Sequence, residues 1–276
     1  MFLVSGAAGN VGGELVQSLA SAGEQVRALS RGDRPAASPS GVKVVTGDLN
    51  QPDSLSTALS GARGVFLLSG YADMPGLLSK IVDAGVERVV LLSSGAVAGG
   101  DIANAVVRYN VVSEAAVRDS GLSWTILRPS GFHANALQWV PQLRAGDVVR
   151  ESFAEVPIAA IDPLDIAAVA ALALTAPGHE GASYRLTGPE PILPADRVRV
   201  LAGLLGRELR LEPLTNAEAR EQMNANMPAE YVDAFFSFFV DGTYDDSHVH
   251  PTVQQLLGRP PRNFEQWAHA HADAFR

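Results

Sequence analysis

Three glycines spaced three apart, in Gly6-Ala7-Ala8-Gly9-Asn10-Val11-Gly12, follow a short apolar run at the start of the chain. The chemistry such a loop does is anion binding. Its first glycine permits a tight turn, its second lets backbone amides approach a pyrophosphate, and its third lets a helix start close against the preceding strand. Amides at that helix start then face the anion. Gly6, Ala8, Gly9, Asn10, Val11 and Gly12 are therefore the expected pyrophosphate contacts of a bound dinucleotide. The strand before the loop and the helix after it set the triplet apart from an ordinary turn.

The charge about twenty residues further on tells the two common dinucleotides apart. An NAD-preferring fold ends its second strand on an acid that takes the ribose hydroxyls. Here that place holds Ser30-Arg31, with Arg34 close behind. A carboxylate would repel a 2′-phosphate, whereas a guanidinium donates charge-assisted hydrogen bonds to it. The expected cofactor is NADP(H). Asp48, in Gly47-Asp48-Leu49, sits where it can hold an adenine amino group or cap the next turn. Leu49, Leu68, Ser69, Gly70, Ser93, Pro129 and Ser130 fall at or just past strand ends, the edge where doubly wound sheets take their ligands.

The elements that must position these residues are legible as alternation. Six short β-branched runs are expected strands: Phe2 to Ser5, Gln25 to Ser30, Val42 to Thr46, Gly64 to Leu68, Arg88 to Ser93 and Ser123 to Arg128. Between them Gly12 to Ala22, Asp53 to Leu59, Gly76 to Ala84 and Arg108 to Ser120 carry apolar residues at helical spacing. That is the pattern of an α/β, Rossmann-like, doubly wound parallel sheet. The expected division is a cofactor-binding core over residues 1–130 and a mixed α/β part over 131–276. The second part adds strands and a smaller substrate lobe closing a cleft. There the expected elements are strands at Val156 to Ala160, Ser183 to Leu186 and Leu209 to Pro213. Helices are expected at Asp165 to Ala176, Pro194 to Leu205, Ala217 to Asn226, Ala229 to Val240 and Phe264 to Ala274.

Composition narrows the chemistry further. The 276 residues include no cysteine, which excludes disulfides, thiolate metal sites and cysteine nucleophiles. A net charge of −9 without a basic block argues against a nucleic-acid binder. No basic leader and no membrane-spanning apolar stretch are seen, so a cytoplasmic protein is expected. His248, His250, His269 and His271 lack zinc-site spacing and read as surface residues. No metal is expected.

Several segments together resemble the NmrA-like branch of the atypical short-chain dehydrogenases. They are the glycine loop, Val26 to Arg31, Gly47-Asp48-Leu49, Ser113-Glu114, Ser120 to Pro129, Asp165-Ile166-Ala167, Leu186 to Pro189 and Leu257 to Pro261. The resemblance spans nearly the whole chain. It implies an NADP(H)-binding protein of a branch holding quinone and triphenylmethane dye reductases, NADP-sensing regulators and ketoreductases that tailor aromatic polyketides in antibiotic biosynthesis.

Against that family the chain lacks one feature. Ordinary short-chain dehydrogenases place a lysine four residues after a tyrosine, which lowers the phenol pKa for proton exchange with a carbonyl oxygen. The two lysines, Lys43 and Lys80, follow Pro39 and Gly76 at that spacing, and four after Tyr109 stands Ser113. Tyr109 is thus either a remnant acid or an ordinary helix residue. Other candidates to steady or protonate a carbonyl oxygen are Ser93, Ser94 and His133, each with a structural role as its alternative. Phe235-Phe236-Ser237-Phe238-Phe239 is expected as the core face of a helix, or else as a wall for a flat aromatic substrate. Two functions are then expected in turn. The first is a NADPH-dependent reductase of a carbonyl or quinone in a bulky aromatic molecule; the second is a catalytically silent NADP(H)-sensing regulator acting through a protein partner.

Overall fold

The computed structural model describes residues 1–32 and 41–276. In chain order the elements are β1 (Phe2–Val4), α1 (Asn10–Ser21), β2 (Val26–Ser30), β3 (Lys43–Thr46), α2 (Ser56–Leu59), β4 (Gly64–Leu68), α3 (Met74–Asp83), β5 (Arg88–Leu92), α4 (Ala105–Asp119) and β6 (Ser123–Pro129). They continue with α5 (Val140–Ala145), β7 (Val148–Glu151), α6 (Pro163–Thr175), β8 (Ala182–Leu186), α7 (Pro194–Leu205) and β9 (Arg210–Pro213). Four helices finish the chain: α8 (Asn216–Asn224), α9 (Ala229–Phe239), α10 (Thr252–Leu257) and α11 (Phe264–Ala270).

Two compact units share these elements. The first comprises residues 1–97, 109–129 and 163–185; the second comprises 98–108, 130–162 and 186–276. In the first, a seven-stranded sheet runs in the order β3-β2-β1-β4-β5-β6-β8, and β1 to β6 pair in parallel. The order reverses beside β1, the switch point at which such sheets open a crevice for ligand. Central strands covered on both faces must be apolar throughout, and Val65, Phe66 and Leu67 of β4 and Val89, Val90 and Leu91 of β5 are all buried. Helix α1 turns Val11, Leu15, Val16 and Leu19 inward at helical spacing.

The second unit holds a two-stranded parallel sheet of β7 and β9. Its core gathers Trp139, Leu143, Val149, Val198, Leu201, Phe264, Trp267 and Phe275. The strand expected at Val156 to Ala160 is not formed. Ile158 alone bridges, to Ile192, because Pro157 has no N–H to donate to a ladder. The expected helix at Asp53 to Leu59 is a 3-10 turn, Pro52–Leu55, followed by the single turn of α2. The last helix stops at Ala270 and gives way to a 3-10 turn at Ala272–Phe275. Strand β7 and the short helices α5 and α10 escape sequence periodicity, since four to six residues hold too few repeats to read. No helix among the described residues is long and apolar enough to cross a membrane.

Candidate functional site

In the first unit the glycine loop joins β1 to α1. Gly6 has φ +61, the left-handed region that a side chain resists. A Cβ on Gly12 would lie 2.2 Å from the Gly6 carbonyl oxygen and 2.9 Å from that of Ser5, so only glycine lets α1 start this close to β1. Gly9 is the N-cap of α1. Its N–H donates to Gly6 O (2.8 Å), and no side chain caps the helix and no acid stands in its first turn. Ala8, Gly9 and Asn10 are exposed while Val11 is buried. An uncapped, positively polarised helix start behind an exposed glycine loop fits a pyrophosphate. Arg31, directly after β2, is exposed and forms no ion pair among the described residues. Arg34 lies outside the described residues.

The rest of the first-unit edge is arranged as follows. Asp48 accepts hydrogen bonds from the Asn50 N–H (3.0 Å) and Gln51 Nε2 (3.4 Å), so its carboxylate organises the turn after β3. Leu49 is buried in the core. Leu68 ends β4 with Cδ1 against Gly6, and the Ser69 hydroxyl donates to Leu92 O (3.0 Å). Gly70, at φ +94, donates its N–H to Ser113 Oγ (3.0 Å), while that hydroxyl donates to Tyr109 O (2.7 Å). Ser113 therefore fills the lysine's position with a clasp between α4 and the loop after β4. Tyr109 is half-buried beside Gly70. Lys80 is paired on the surface with Asp53 (2.7 Å).

Ser93 and Ser94 part company. The Ser93 hydroxyl is buried and donates to Glu114 Oε1 (2.6 Å), so it is committed to the interior. Glu114 also accepts Arg128 Nε (2.8 Å) and Nη2 (2.5 Å), and Arg118 Nη2 (2.7 Å). Burial alone would raise its pKa; the bonds from Arg128, Ser93 and Arg118 outweigh that and hold the carboxyl below its ordinary range. Sequence reasoning saw Ser113-Glu114 and Arg128 only as parts of a resemblance and missed the network. Ser94 is half-buried, and its Oγ accepts the Ala96 N–H (3.1 Å), with no acceptor for its hydroxyl proton among the described residues. Pro129 ends β6 and is buried.

His133 and Ser130 belong to the second unit. Ser130 donates its hydroxyl to Ala159 O and its N–H to Leu186 O (2.9 Å), an internal role. His133 is buried, edge-on to Phe264 with ring centroids 5.5 Å apart, and its Nε2 is 3.4 Å from Arg262 O. Burial, aided by the Arg197 charge, pushes its pKa down to about 4. Of the two roles expected for His133, its burial and its aromatic contact favour the structural one, since a ring kept neutral by burial carries no imidazolium proton at neutral pH.

The second unit also encloses a cavity of about 620 Å³, a size usual for small-molecule sites. The aromatic stripe of α9 divides between core and cavity. Phe236 and Phe238 are buried, while Phe235 and Phe239, stacked with centroids 6.2 Å apart at 17°, line the cavity with Phe153, Met223, Met227 and Trp139. The stripe thus serves the core through Phe236 and Phe238 and lines a cavity through Phe235 and Phe239.

Residues 6–177 match the family model described as NAD(P)H-binding. The chain is 41% identical to the (4-alkanoyl-5-oxo-2,5-dihydrofuran-3-yl)methyl phosphate reductase of Streptomyces griseus subsp. griseus, covering 100% of this chain and 99% of that protein. It is 33% identical to the NAD(P)H azoreductase of Xenophilus azovorans, again over 100% of this chain and 99% of the other. The triphenylmethane reductase of Citrobacter sp., solved with NADP(H), has the same fold, with TM-score 0.80 at 21% identity over 99% of this chain and 100% of that one.

Proposed function

Because the chain belongs to the NAD(P)H-binding reductases of the NmrA-like branch, and is an NAD(P)H-dependent oxidoreductase, we propose that it reduces an electron-poor conjugated double bond at the expense of NADPH. The observation that carries this reading is Ser113. It occupies the place of the acid-tuning lysine and is committed to Gly70 and Tyr109. Reduction of an isolated ketone leaves an alkoxide, a strong base that must be protonated in the same event. Addition of hydride to a quinone, or to an alkene flanked by carbonyls, leaves a delocalised anion that water protonates afterwards. A site without a tuned acid suits the second kind of acceptor.

The name of the Streptomyces griseus relative describes such a molecule: a ring alkene beside a ring carbonyl and an alkanoyl group, with a phosphate on a neighbouring methylene. This chain's acceptor is of that class, and the bulky aromatic quinone expected from the sequence shares its electronic character. When bound, the nicotinamide supplies the hydride. The α1 start with Gly6 and Gly9 would hold the pyrophosphate, Gly12 lets α1 start close to β1, and Arg31 would select the 2′-phosphate. Ser94, with its free hydroxyl proton, donates to the oxygen on which negative charge grows; Ser93, bound to Glu114, does not.

The test is NADPH oxidation followed against quinones, alkenes flanked by carbonyls and isolated polycyclic ketones. Turnover of the first two classes and not the third is expected; equal turnover of isolated ketones overturns the reading. In the same assay Tyr109→Phe should keep most of the turnover, because Ser113 and not a lysine stands four residues on, so the lysine that prepares such a phenol to give up its proton is missing. Ser94→Ala should lose ~10²-fold, as single oxyanion donors do.

A further inference from the structure

Arg197, on the first turn of α7, has no part in the mechanism above. It is about nine-tenths buried, with 7% of its surface exposed, and it lines the 620 Å³ cavity of the second unit. Its Nε has no hydrogen-bond partner, and no ion pair holds the guanidinium among the described residues. Its guanidinium carbon lies over the Phe264 ring, 5.9 Å from the centroid, a contact that supplies no hydrogen-bond acceptor. Burial draws its pKa down to about 10, with Glu151 and Asp246 opposing, so it is a cation at neutral pH.

The charges that act on it or line the same cavity, Glu151, Asp246 and Arg150, are engaged. Glu151 accepts from Gln138 Nε2 (3.0 Å), the Trp139 indole N–H, and the N–H (2.9 Å) and hydroxyl (3.2 Å) of Ser152. Asp246 accepts the Gly131 N–H (2.9 Å) and the Tyr244 hydroxyl (2.7 Å). Arg150 pairs with Glu218 (2.7 Å) and Glu212 (3.5 Å). A buried guanidinium Nε with no acceptor among the described residues is unfavourable, and an anion placed on the guanidinium supplies the missing acceptor.

Much of the rest of the cavity lining is apolar, with Phe153, Leu214, Met223, Met227, Phe235 and Phe239. Methionine and phenylalanine here present a deformable, uncharged surface that suits a chain of variable shape. Phe153 sits at φ +53, rare for a bulky residue, and is held there by the rings of Phe236 and Phe239, each 5.2 Å away between centroids. Strain of this kind gathers at binding sites.

We infer that the cavity binds an amphiphilic anion, a phosphate ester carrying an apolar chain, with Arg197 on the phosphate and the phenylalanine and methionine wall around the chain. The choice of a phosphate head rests on the function proposed above; the demand for negative charge rests on Arg197. Equilibrium binding by calorimetry, with n-octyl phosphate, n-octanol and inorganic phosphate as probes that cannot be reduced, tests it apart from catalysis.

Octyl phosphate should bind more tightly than either half-probe. Arg197→Met should weaken octyl phosphate by ~10-fold or more, the worth of one charged hydrogen bond, and leave octanol unchanged. The methionine keeps the volume and removes a buried charge, so this variant should melt no lower than the parent, which separates lost binding from lost folding. Equal affinity for octyl phosphate and octanol overturns the anion site, as does unchanged octyl phosphate binding in Arg197→Met. Inorganic phosphate binding as tightly as octyl phosphate overturns the apolar subsite. If this binding pattern holds while no conjugated acceptor is reduced, the proposed reaction fails and the site stands. If acceptors are reduced equally well with and without a phosphate, and Arg197→Met changes neither rate, the site fails and the reaction stands.

Discussion

Arg31 stands where a ribose-binding acid would stand, and it is free of ion pairs among the described residues. The energetic consequence is simple, because one charge-assisted hydrogen bond to a 2′-phosphate is worth ~1.5–3 kcal/mol. Arg31→Asp should therefore weaken NADPH by ~10-fold or more while barely changing NADH, as measured by titration of each cofactor. Equal weakening of both would place the 2′-phosphate elsewhere. Ser93 teaches the converse lesson about single residues. Its position at the end of β5 suggests a catalytic hydroxyl, but Glu114 carries two arginines and needs a further donor, so the hydroxyl is spent inside the fold. Position along a strand locates a side chain; its partner decides its use.

At the scale of elements, the β1–loop–α1 unit divides its labour between two glycines. Gly12 is structural, since a Cβ there meets backbone oxygen at 2.2 Å and the helix would have to back away. Gly9 caps α1 with extended backbone at φ −92, which any residue adopts, and it is exposed at the proposed pyrophosphate site. Gly12→Ala should thus lower stability by about 2 kcal/mol or more, as overpacked sites do, whereas Gly9→Val should abolish dinucleotide binding with a fold nearly as stable as the parent. Denaturant unfolding and cofactor titration of both variants check this. Loss of stability in Gly9→Val equal to that in Gly12→Ala would mean that both are packing glycines. Helix α9 shows the same division on one surface, with Phe236 and Phe238 turned to the core and Phe235 and Phe239 to the cavity.

Over the whole molecule, the stability of the fold is tied to pH through His133. Burial lowers its pKa from 6.5 to about 4, so between those values the unfolded chain takes up a proton that the folded chain refuses. Stability from this group is complete above about pH 6.5 and falls as pH drops toward 4, by at most about 3 kcal/mol. His133→Leu should flatten that part of the profile, as read by denaturant unfolding at pH 7 and pH 5; an unchanged slope would show that the ring is already charged or exposed. The sequence by itself determined the strand–helix alternation of the first half, the glycine loop, the sign of the charge after β2 and the absence of a lysine-tuned tyrosine. These are local: periodicity, turn geometry and spacing along one helix are written within a few residues of one another. The Ser93–Glu114–Arg128 network, the burial of His133, the bridge that replaced the strand at Val156 to Ala160 and the lack of an ion pair at Arg197 among the described residues were decided only by tertiary structure. Each depends on which residues, tens of positions apart, come within hydrogen-bonding distance or take water away, and burial and pairing are properties of the folded surroundings rather than of the residue.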